Sequence, residues 1–556
     1  MNKKIIIYQT LPRLFGNDNP TNKEYGSIAE NGCGKFSSFD NATLSLIHKM
    51  GFTHIWFTGI IRHASQTDYS GYGIPNCHPA VVKGKAGSPY SIVDYYDVDP
   101  DLADDVNNRM MEFEDLVRRV HRHGMKVVID FVPNHVARQY SSIAKPKGVK
   151  DFGEDDDTRK AFDPQNNFYY CPNDTFAPYL DLKASAEIPY YESPARATGN
   201  DCFHAHPGKD DWYETVKLNY GVDYMNGCHQ CFYPIPDTWN KMTDILEYWA
   251  AKGVDAFRCD MAEMVPVDFW HHATQKLKSL YPDLLFIGEV YQPALYRNYI
   301  GWGGFDYLYD KVGMYDTLRS IVCRQASATA ITSAWQHTDD INAHMLYFLE
   351  NHDEQRIASP FFAGNGMLAL PAFIVAILMR SNPFMLYMGQ SLGESGNDKE
   401  GFSGNDGRTT IFDYWCVPSI LRLRQGKLTF DEQNLHSIYN KVLQIAKKEK
   451  AVSKGQFFDL MYVNPSGEHF NADRQFVFLR KYADELLLVC ANFDSTDTDV
   501  EINIPEHAFD CLSIEEGTYK GKELLTKATH SFNLKKGGSV RISVPSNLAS
   551  VWKIAL

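Results

Sequence analysis

The chain has 556 residues, enough for several domains around a large core. With 44% hydrophobic and 22% charged residues, its composition is that of an ordinary globular protein. A net charge of −14, from 55 basic and 69 acidic residues, argues against a general binder of nucleic acid or acidic membranes, because such a binder needs a positive surface.

The start, MNKKIIIYQTLPRLF, has an apolar run of only Ile5–Ile7 and no small-residue cleavage site, so it does not read as a signal peptide. The most apolar stretch, Met367–Met379, is too short to span a bilayer. The expectation is a cytoplasmic protein without a membrane partner. Its 11 cysteines, an odd number, suit reduced thiols better than a disulfide frame. Cys228 and Cys231 form a CHQC pair downstream of Cys171, Cys202, His204 and His206, but a lone CxxC is a weak metal signal and free thiols are the better reading.

From the N-terminus, one unit recurs: an amphipathic helix, a glycine, then an apolar strand. Ala42–Met50 leads through Gly51 to Thr53–Thr58; Met111–His123 leads through Gly124 to Lys126–Val132; Asp237–Lys252 leads through Gly253 to Val254–Arg258. The glycine supplies the left-handed residue that ends a helix. Strands without polar alternation are buried on both faces, as parallel strands are. Further strands are expected at Ile5–Gln9, Leu284–Gly288, Tyr307–Asp310, Met345–Glu350 and Phe384–Met388, making the eight that close a (β/α)8 TIM barrel. Between Val136 and Cys231 the pattern stops, in a stretch too long for an ordinary loop, which reads as a lobe inserted after strand 3. After about residue 455 short β runs follow, at Gln475–Arg480, Glu485–Asn492, Thr498–Ile504 and Ser539–Val544, suggesting a C-terminal antiparallel β-sandwich. The fold class is therefore α/β, divided as barrel (1–135 and 232–454), inserted lobe (136–231) and sandwich (455–556).

Four strand ends carry the chemistry: Asp130–His135 (DFVPNH), Asp255–Asp260 (DAFRCD), Gly288–Glu289 and Asn351–Asp353 (NHD). In a parallel barrel these tips share one face. Cleaving an acetal between sugars needs two carboxyl groups in different protonation states. Asp260 lies two residues after Arg258, on the same side of an extended strand, so the cation is expected to keep it ionised and nucleophilic. Glu289 ends an apolar strand, among Phe286, Ile287 and Tyr291, where a carboxylic acid is favoured. Asp353 is placed to stabilise positive charge on a sugar, with His135 and His352 donating to hydroxyls.

These blocks resemble those of the α-amylase family of glycoside hydrolases (family 13), in the family's order: Asp130-Phe-Val-Pro-Asn-His135, Phe257-Arg-Cys-Asp260, Phe286-Ile-Gly-Glu289 and Asn351-His-Asp353. The resemblance runs from about Ile7 to Gln390 and more loosely to the C-terminus. It implies a retaining mechanism through a covalent glycosyl-enzyme, with Asp260 as nucleophile, Glu289 as acid/base and Asp353 as transition-state stabiliser. It also implies that Arg258, His135 and His352 line the subsite of the sugar to be cleaved. The segment Tyr90-Ser-Ile-Val-Asp-Tyr95 resembles the one whose first Tyr stacks on that sugar, and Asp130 matches a residue that orients Arg258. No cofactor is required by this reading. Many family members bind calcium through the block-one Asn, a lobe Asp and a His after the nucleophile. Asn134 is present here, but Lys217 and Met264 replace the other two, so no calcium is expected at that site. A second calcium site resembles Asn17, Asn19 and Asn22, weakened by Lys23 and Lys35 at usually acidic positions.

The reaction expected is hydrolysis of α-1,4 linkages in malto-oligosaccharides or starch-like glucans. The alternatives are a transglycosylase, an α-1,6-active enzyme of neopullulanase or debranching type, or a non-catalytic binding protein on the same fold. The long stretch Asp68–Pro89 is a candidate for closing one end of the cleft.

Overall fold

The computed structural model describes residues 4–179, 189–208, 210–396, 402 and 404–556. Eight parallel strands close a barrel: β1 (Ile6–Thr10), β2 (His54–Phe57), β3 (Lys126–Phe131), β4 (Ala256–Cys259), β5 (Leu285–Gly288), β6 (Tyr307–Tyr309), β7 (Met345–Phe348) and β8 (Phe384–Tyr387). Each pairs with its sequence neighbours, and β8 closes on β1. All eight lie within two residues of the expected runs.

The helices before β2, β3 and β4 are α1 (Asn41–Met50), α2 (Arg109–Arg122) and α3 (Asp237–Ala251). Their apolar stripes are buried against the barrel: Leu44, Ile47 and Met50 in α1, Phe113, Leu116, Val117 and Val120 in α2. Gly124 (φ 72°) and Gly253 (φ 89°) make the left-handed turns into β3 and β4. Inside the barrel a separate apolar plug of Ile7, Trp56, Val128, Ile287, Leu346 and Met385 fills the space beneath the strand tips.

Among the described residues between β3 and α3, short two-stranded pairings join 135–137 with 215–217, 170–171 with 195–196 and 222–223 with 229–230. Arg138, 2% exposed, sits among them with its guanidinium on Glu192 at 2.8 Å. This is the inserted lobe; residues 180–188 and 209 of it lie outside the described residues.

The expected most apolar stretch forms α4 (Leu370–Leu378), in which every residue is buried. It is apolar all round because it lies between the barrel and the C-terminal strands. Those strands are β9 (Gln456–Asp459), β10 (Gln475–Tyr482), β11 (Glu485–Asn492), β12 (Thr498–Asn503), β13 (Gly517–Glu523), β14 (Thr529–Leu534), β15 (Ser539–Val544) and β16 (Leu548–Ala555). Six form an antiparallel sheet in the order β9-β10-β11-β16-β13-β14, and β12 pairs with β15 alongside. No helix among the described residues is long and apolar enough to cross a membrane.

Candidate active site

Register brings the two central acids together. Cys259 of β4 pairs with Gly288 of β5, and Asp260 and Glu289 are the next residues on each strand. The Asp260 N–H still donates to Phe131 O (2.9 Å) and the Glu289 N–H to Cys259 O (3.1 Å), so both remain in the ladder. Neighbouring strands stand about 4.8 Å apart, and the two carboxyl groups start from that spacing. Gly288 is required just before Glu289, because a Cβ there would come within 2.8 Å of Leu308 and 2.9 Å of Phe305.

One guanidinium organises the acids. Arg258 lies opposite Asp130 in the β3–β4 register and is fully buried. Its terminal nitrogens stand 2.6 Å from Asp260, 2.8 Å from Glu289 and 3.5 Å from Asp130. Trp56, Tyr90 and Tyr309 surround it at 5.3, 5.4 and 5.6 Å from their ring centres. Burial works against its charge, but Glu289, Tyr309, Tyr90 and Asp260 outweigh that and hold it protonated. The expectation that Arg258 simply keeps Asp260 ionised needs correction. Burial pushes Asp260 well above the usual carboxylate range, Arg258 pulls it back, and Glu289 pushes it up again. A single positive charge is divided among three carboxyl groups. Asp130, which also accepts from Trp56 Nε1 (3.0 Å) and Tyr90 Oη (3.3 Å), is pushed up to about 7 by burial.

Glu289 is held on its other sides by Tyr291 Oη, donating to Oε1 at 2.5 Å, and by the Met261 N–H, donating to Oε2 at 2.8 Å. Met261 reaches that position in the left-handed region (φ 43°, ψ 42°), uncommon for a side chain of its size. Asp353 is the most open acid, with 42% of its side chain exposed, and lies 3.0 Å from His352 Nε2. His352 is pinned by Gln9 Nε2 donating to Nδ1 (2.8 Å) and by Tyr90 Oη at Nε2 (2.5 Å), its ring stacked on Tyr90 at 5.2 Å. Burial lowers His352 well below the ordinary histidine range and His135 to about 3, so both imidazoles are neutral hydrogen-bonding groups.

Tyr90, His135, Asp260, Glu289 and Asp353 all line one cavity of about 390 Å³. Arg258 and His352 do not. They stand directly behind the acids and Tyr90, because their side chains are fully enclosed, and so position the lining rather than form it. The remaining wall includes Tyr291 and Met261 beside Glu289, Lys83 and Ser88 from the loop after β2, Trp212 and Glu214 from the lobe, and Phe412 beyond β8. Of these, Tyr291 stands two residues past Glu289 and had a local signal. Lys83 and Ser88 lie in the Asp68–Pro89 stretch expected to close one end of the cleft, whereas Trp212, Glu214 and Phe412 lie in segments without periodicity and had no signal.

A sequence model of the alpha amylase catalytic domain matches residues 11–442, and one of the alpha amylase C-terminal all-beta domain matches residues 468–555. The chain belongs to the α-amylase family. Alpha-amylase 3 of Dictyoglomus thermophilum is 24% identical over 395 residues, 66% of this chain and 68% of that protein. Neopullulanase 2 of Thermoactinomyces vulgaris is 22% identical over 540 residues, 92% of this chain and 74% of that one. The crystal structure of a noncanonic maltogenic alpha-amylase from Thermotoga neapolitana superposes with a TM-score of 0.63 over 100% of both chains at 20% identity, a likeness of fold. This α-amylase-family chain is thus an enzyme of the glycoside hydrolase class.

The side chains at the family's calcium positions are engaged with one another. Between barrel and lobe, the Lys217 ammonium stands 2.5 Å from Asn134 Oδ1, 2.7 Å from Asp201 Oδ1 and 3.4 Å from Met264 O. A buried cation of the chain itself occupies that oxygen cluster, which does not fit a metal ion. In the first loop, Asn17 Oδ1 accepts from the Asn19 N–H, Asn19 Oδ1 from Thr21, and Asn22 Oδ1 from the Cys416 N–H. Lys23 pairs with Glu30 at 2.5 Å. The three amides tie the loop to itself and to residues 415 and 416, an arrangement that offers a metal little.

Proposed function

We propose that the enzyme cleaves α-1,4 linkages in malto-oligosaccharides or starch-like glucans with retention of configuration. The observation that carries this is the level pairing of Asp260 and Glu289 at the ends of adjacent strands, both on Arg258 and both facing one cavity. That placement favours the spacing of about 5–5.5 Å used by retaining enzymes over the about 6.5–9.5 Å that leaves room for an attacking water.

In the first step the Glu289 carboxyl proton passes to the glycosidic oxygen as that oxygen's bond to the anomeric carbon breaks. An Asp260 oxygen forms the new bond to the same carbon, giving a glycosyl ester and a free chain end. In the second step the Glu289 carboxylate takes a proton from water, whose oxygen attacks the anomeric carbon and releases Asp260. An acid pair around one guanidinium suits this route, because each step needs one acid protonated while the other carries charge. Asp353 accepts from ring hydroxyls and stabilises the oxocarbenium-like charge. The Tyr90 ring offers the sugar a flat face, and neutral His135 a polar contact.

A second reading is favoured by the surface beside Glu289. Met261 and Tyr291 present apolar and aromatic area where the leaving group departs, which suits a sugar acceptor as well as water. Transglycosylation and α-1,6 action are decided by product sizes on maltotriose, pullulan and sucrose. The primary test is maltoheptaose hydrolysis followed by NMR of the anomers. The α-anomer is expected first, and initial β-anomer would overturn retention.

A further inference from the structure

The cavity has two unlike sides. Glu289 is bonded to Tyr291 and Met261, so these mark the side on which the protonated leaving group departs. Tyr90 and His135 mark the other side, which holds the sugar that becomes attached to Asp260. What stands beyond Tyr90 and His135 decides whether a longer chain can continue past that sugar.

Residues anchored to one another line that side. Trp212 packs on His135 with ring centres 5.2 Å apart. Two residues on, Glu214 forms an ion pair with Lys83 at 3.0 Å; the side chains are 5% and 12% exposed, and Lys83 also lies over the Tyr213 ring at 5.3 Å. Lys83 comes from the loop after β2 and Glu214 from the inserted lobe, so the pair joins two separate segments. The loop then continues into the segment beyond β8. The Ala86 N–H donates to Phe412 O at 3.0 Å, and Gly84 lies so close that a Cβ there would stand 2.2 Å from the same oxygen. Beneath this junction, buried Arg13 donates to Ala86 O (2.9 Å) and to Ile411 O (2.6 Å), fixing both segments to one guanidinium. The lobe end is fixed as well, because Glu214 O accepts from the Arg138 N–H at 3.1 Å.

We infer that the Lys83–Glu214 ion pair closes the cavity beyond the sugar held by Tyr90 and His135, so that the enzyme cuts from the non-reducing ends of chains and removes one or two sugars at a time. The inference rests on the retaining glucan-hydrolase reading above and adds direction and product length to it. Chemically, the pair is an ion-paired barrier with a polar inner face. Its ammonium and carboxylate suit the terminal 4-hydroxyl of a chain end and leave no passage for a further glycosidic link. Separating the pair would strand a largely buried charge, so it stays closed.

The test uses 4-nitrophenyl α-maltoheptaoside with a free non-reducing end and the same compound blocked there by a 4,6-O-benzylidene group, with initial products resolved by chromatography. The wild-type enzyme is expected to shorten the free substrate by one or two sugars and to process the blocked one at least about tenfold more slowly, the scale of discrimination a rigid pocket wall provides. Lys83→Ala is expected to narrow that ratio and to yield mid-length products, and Lys83→Gln, which keeps most of the side-chain volume, to act in the same direction but less. Wild-type turnover of the blocked substrate at close to the free rate, with internal cuts, overturns this inference and leaves the hydrolase reading standing. That result comes from the wild-type protein alone, whatever the stability of the variants. Failure to process either substrate overturns the hydrolase reading and this inference with it.

Discussion

Arg258 and Arg480 are both buried, at 0% and 1% exposure, yet their surroundings are opposite. Arg258, at the strand tips, has three carboxyl groups within 3.5 Å. Arg480, on β10, has no carboxylate in contact among the described residues. It donates instead to four backbone carbonyls, of Met379, Ala451, Val452 and Gly455, at 2.7–2.9 Å. Met379 O lies at the C-terminal end of the wholly buried α4, where the helix dipole favours a cation. Burial, with Arg380 nearby, pulls the Arg480 guanidinium down to about 9, whereas the acids hold Arg258 well above the ordinary arginine range. The same side chain stands amid excess negative charge at the strand tips and amid carbonyl dipoles, with no carboxylate in contact among the described residues, at the C-terminal sheet. The excess around Arg258 is costly to folding, and that cost is the mark of a functional site.

The comparison breaks most visibly at Asp260. Asp260→Asn is expected to lower kcat at least about 10⁴-fold, the range seen when a catalytic unit loses its nucleophile, while thermal unfolding stays the same or moves upward. The variant removes one of three acids that share a cation, so a large loss of stability instead would show that Asp260 holds the fold and not the reaction.

Asp130 sharpens the point through pH. Its folded value of about 7 is above the ordinary value of 3.8. Below about pH 4 the group is protonated in both states and costs nothing. Between about 4 and 7 only the unfolded chain releases the proton, so stability falls as pH rises, by up to about 4 kcal/mol at and above pH 7. Asp130→Asn removes that term. Its stability relative to wild type, from urea titrations, is expected to rise between pH 4 and 7 and then level off; a constant difference across the range would contradict the assignment.

At Arg480 the opposite pattern is expected. Arg480→Met leaves buried carbonyls without a donor and is expected to cost roughly 3 kcal/mol, read as a lower urea midpoint. At a temperature where the variant is folded, kcat should stay within about twofold of wild type, since nothing in the cavity has changed.

How much of this could be read beforehand follows the same division. The eight barrel strands were legible, even the short Tyr307–Tyr309, because parallel strands are continuous apolar runs, three of them preceded by an amphipathic helix and a glycine stop. That Asp260, Glu289 and Asp353 share one cavity was legible, the first two because each directly follows its strand and Asp353 through the NHD block beyond β7. Of the C-terminal strands, the runs matching β10, β11, β12 and β15 were seen; β9, β13, β14 and β16 were not, and β13 and β14 (GTYKGKE and THSFNL) alternate with polar and glycine residues that read as loop. Enclosure was not legible. That Arg258 and His352 stand behind the lining, and that burial counters the pull of Arg258 on Asp260, depend on three-dimensional packing that spacing does not encode. Of the wall made by Lys83, Glu214 and Phe412, only the Asp68–Pro89 loop that carries Lys83 was legible as a closing segment; its partners lie on segments joined only in the fold.

Lys217 lies between the two extremes and gives the finest test. Like Arg258 it faces a carboxylate, Asp201 at 2.7 Å, and like Arg480 it also takes neutral oxygens, from Asn134 and Met264. Burial lowers its pKa and Asp201 opposes the shift. Asp201 is 39% exposed at its side chain, so water screens part of the interaction. Lys217→Met is accordingly expected to cost about 2 kcal/mol, less than a fully enclosed pair would. If the ammonium does the work a metal does elsewhere in the family, a chelator leaves the wild-type melting temperature unchanged. Lys217→Asp places a second carboxylate in the oxygen cluster and is expected to gain thermal stability on addition of calcium, while wild type gains none. Stabilisation of the wild type by calcium, reversed by chelator and retained in Lys217→Met, would show a metal bound at some other place and remove Lys217 from the comparison.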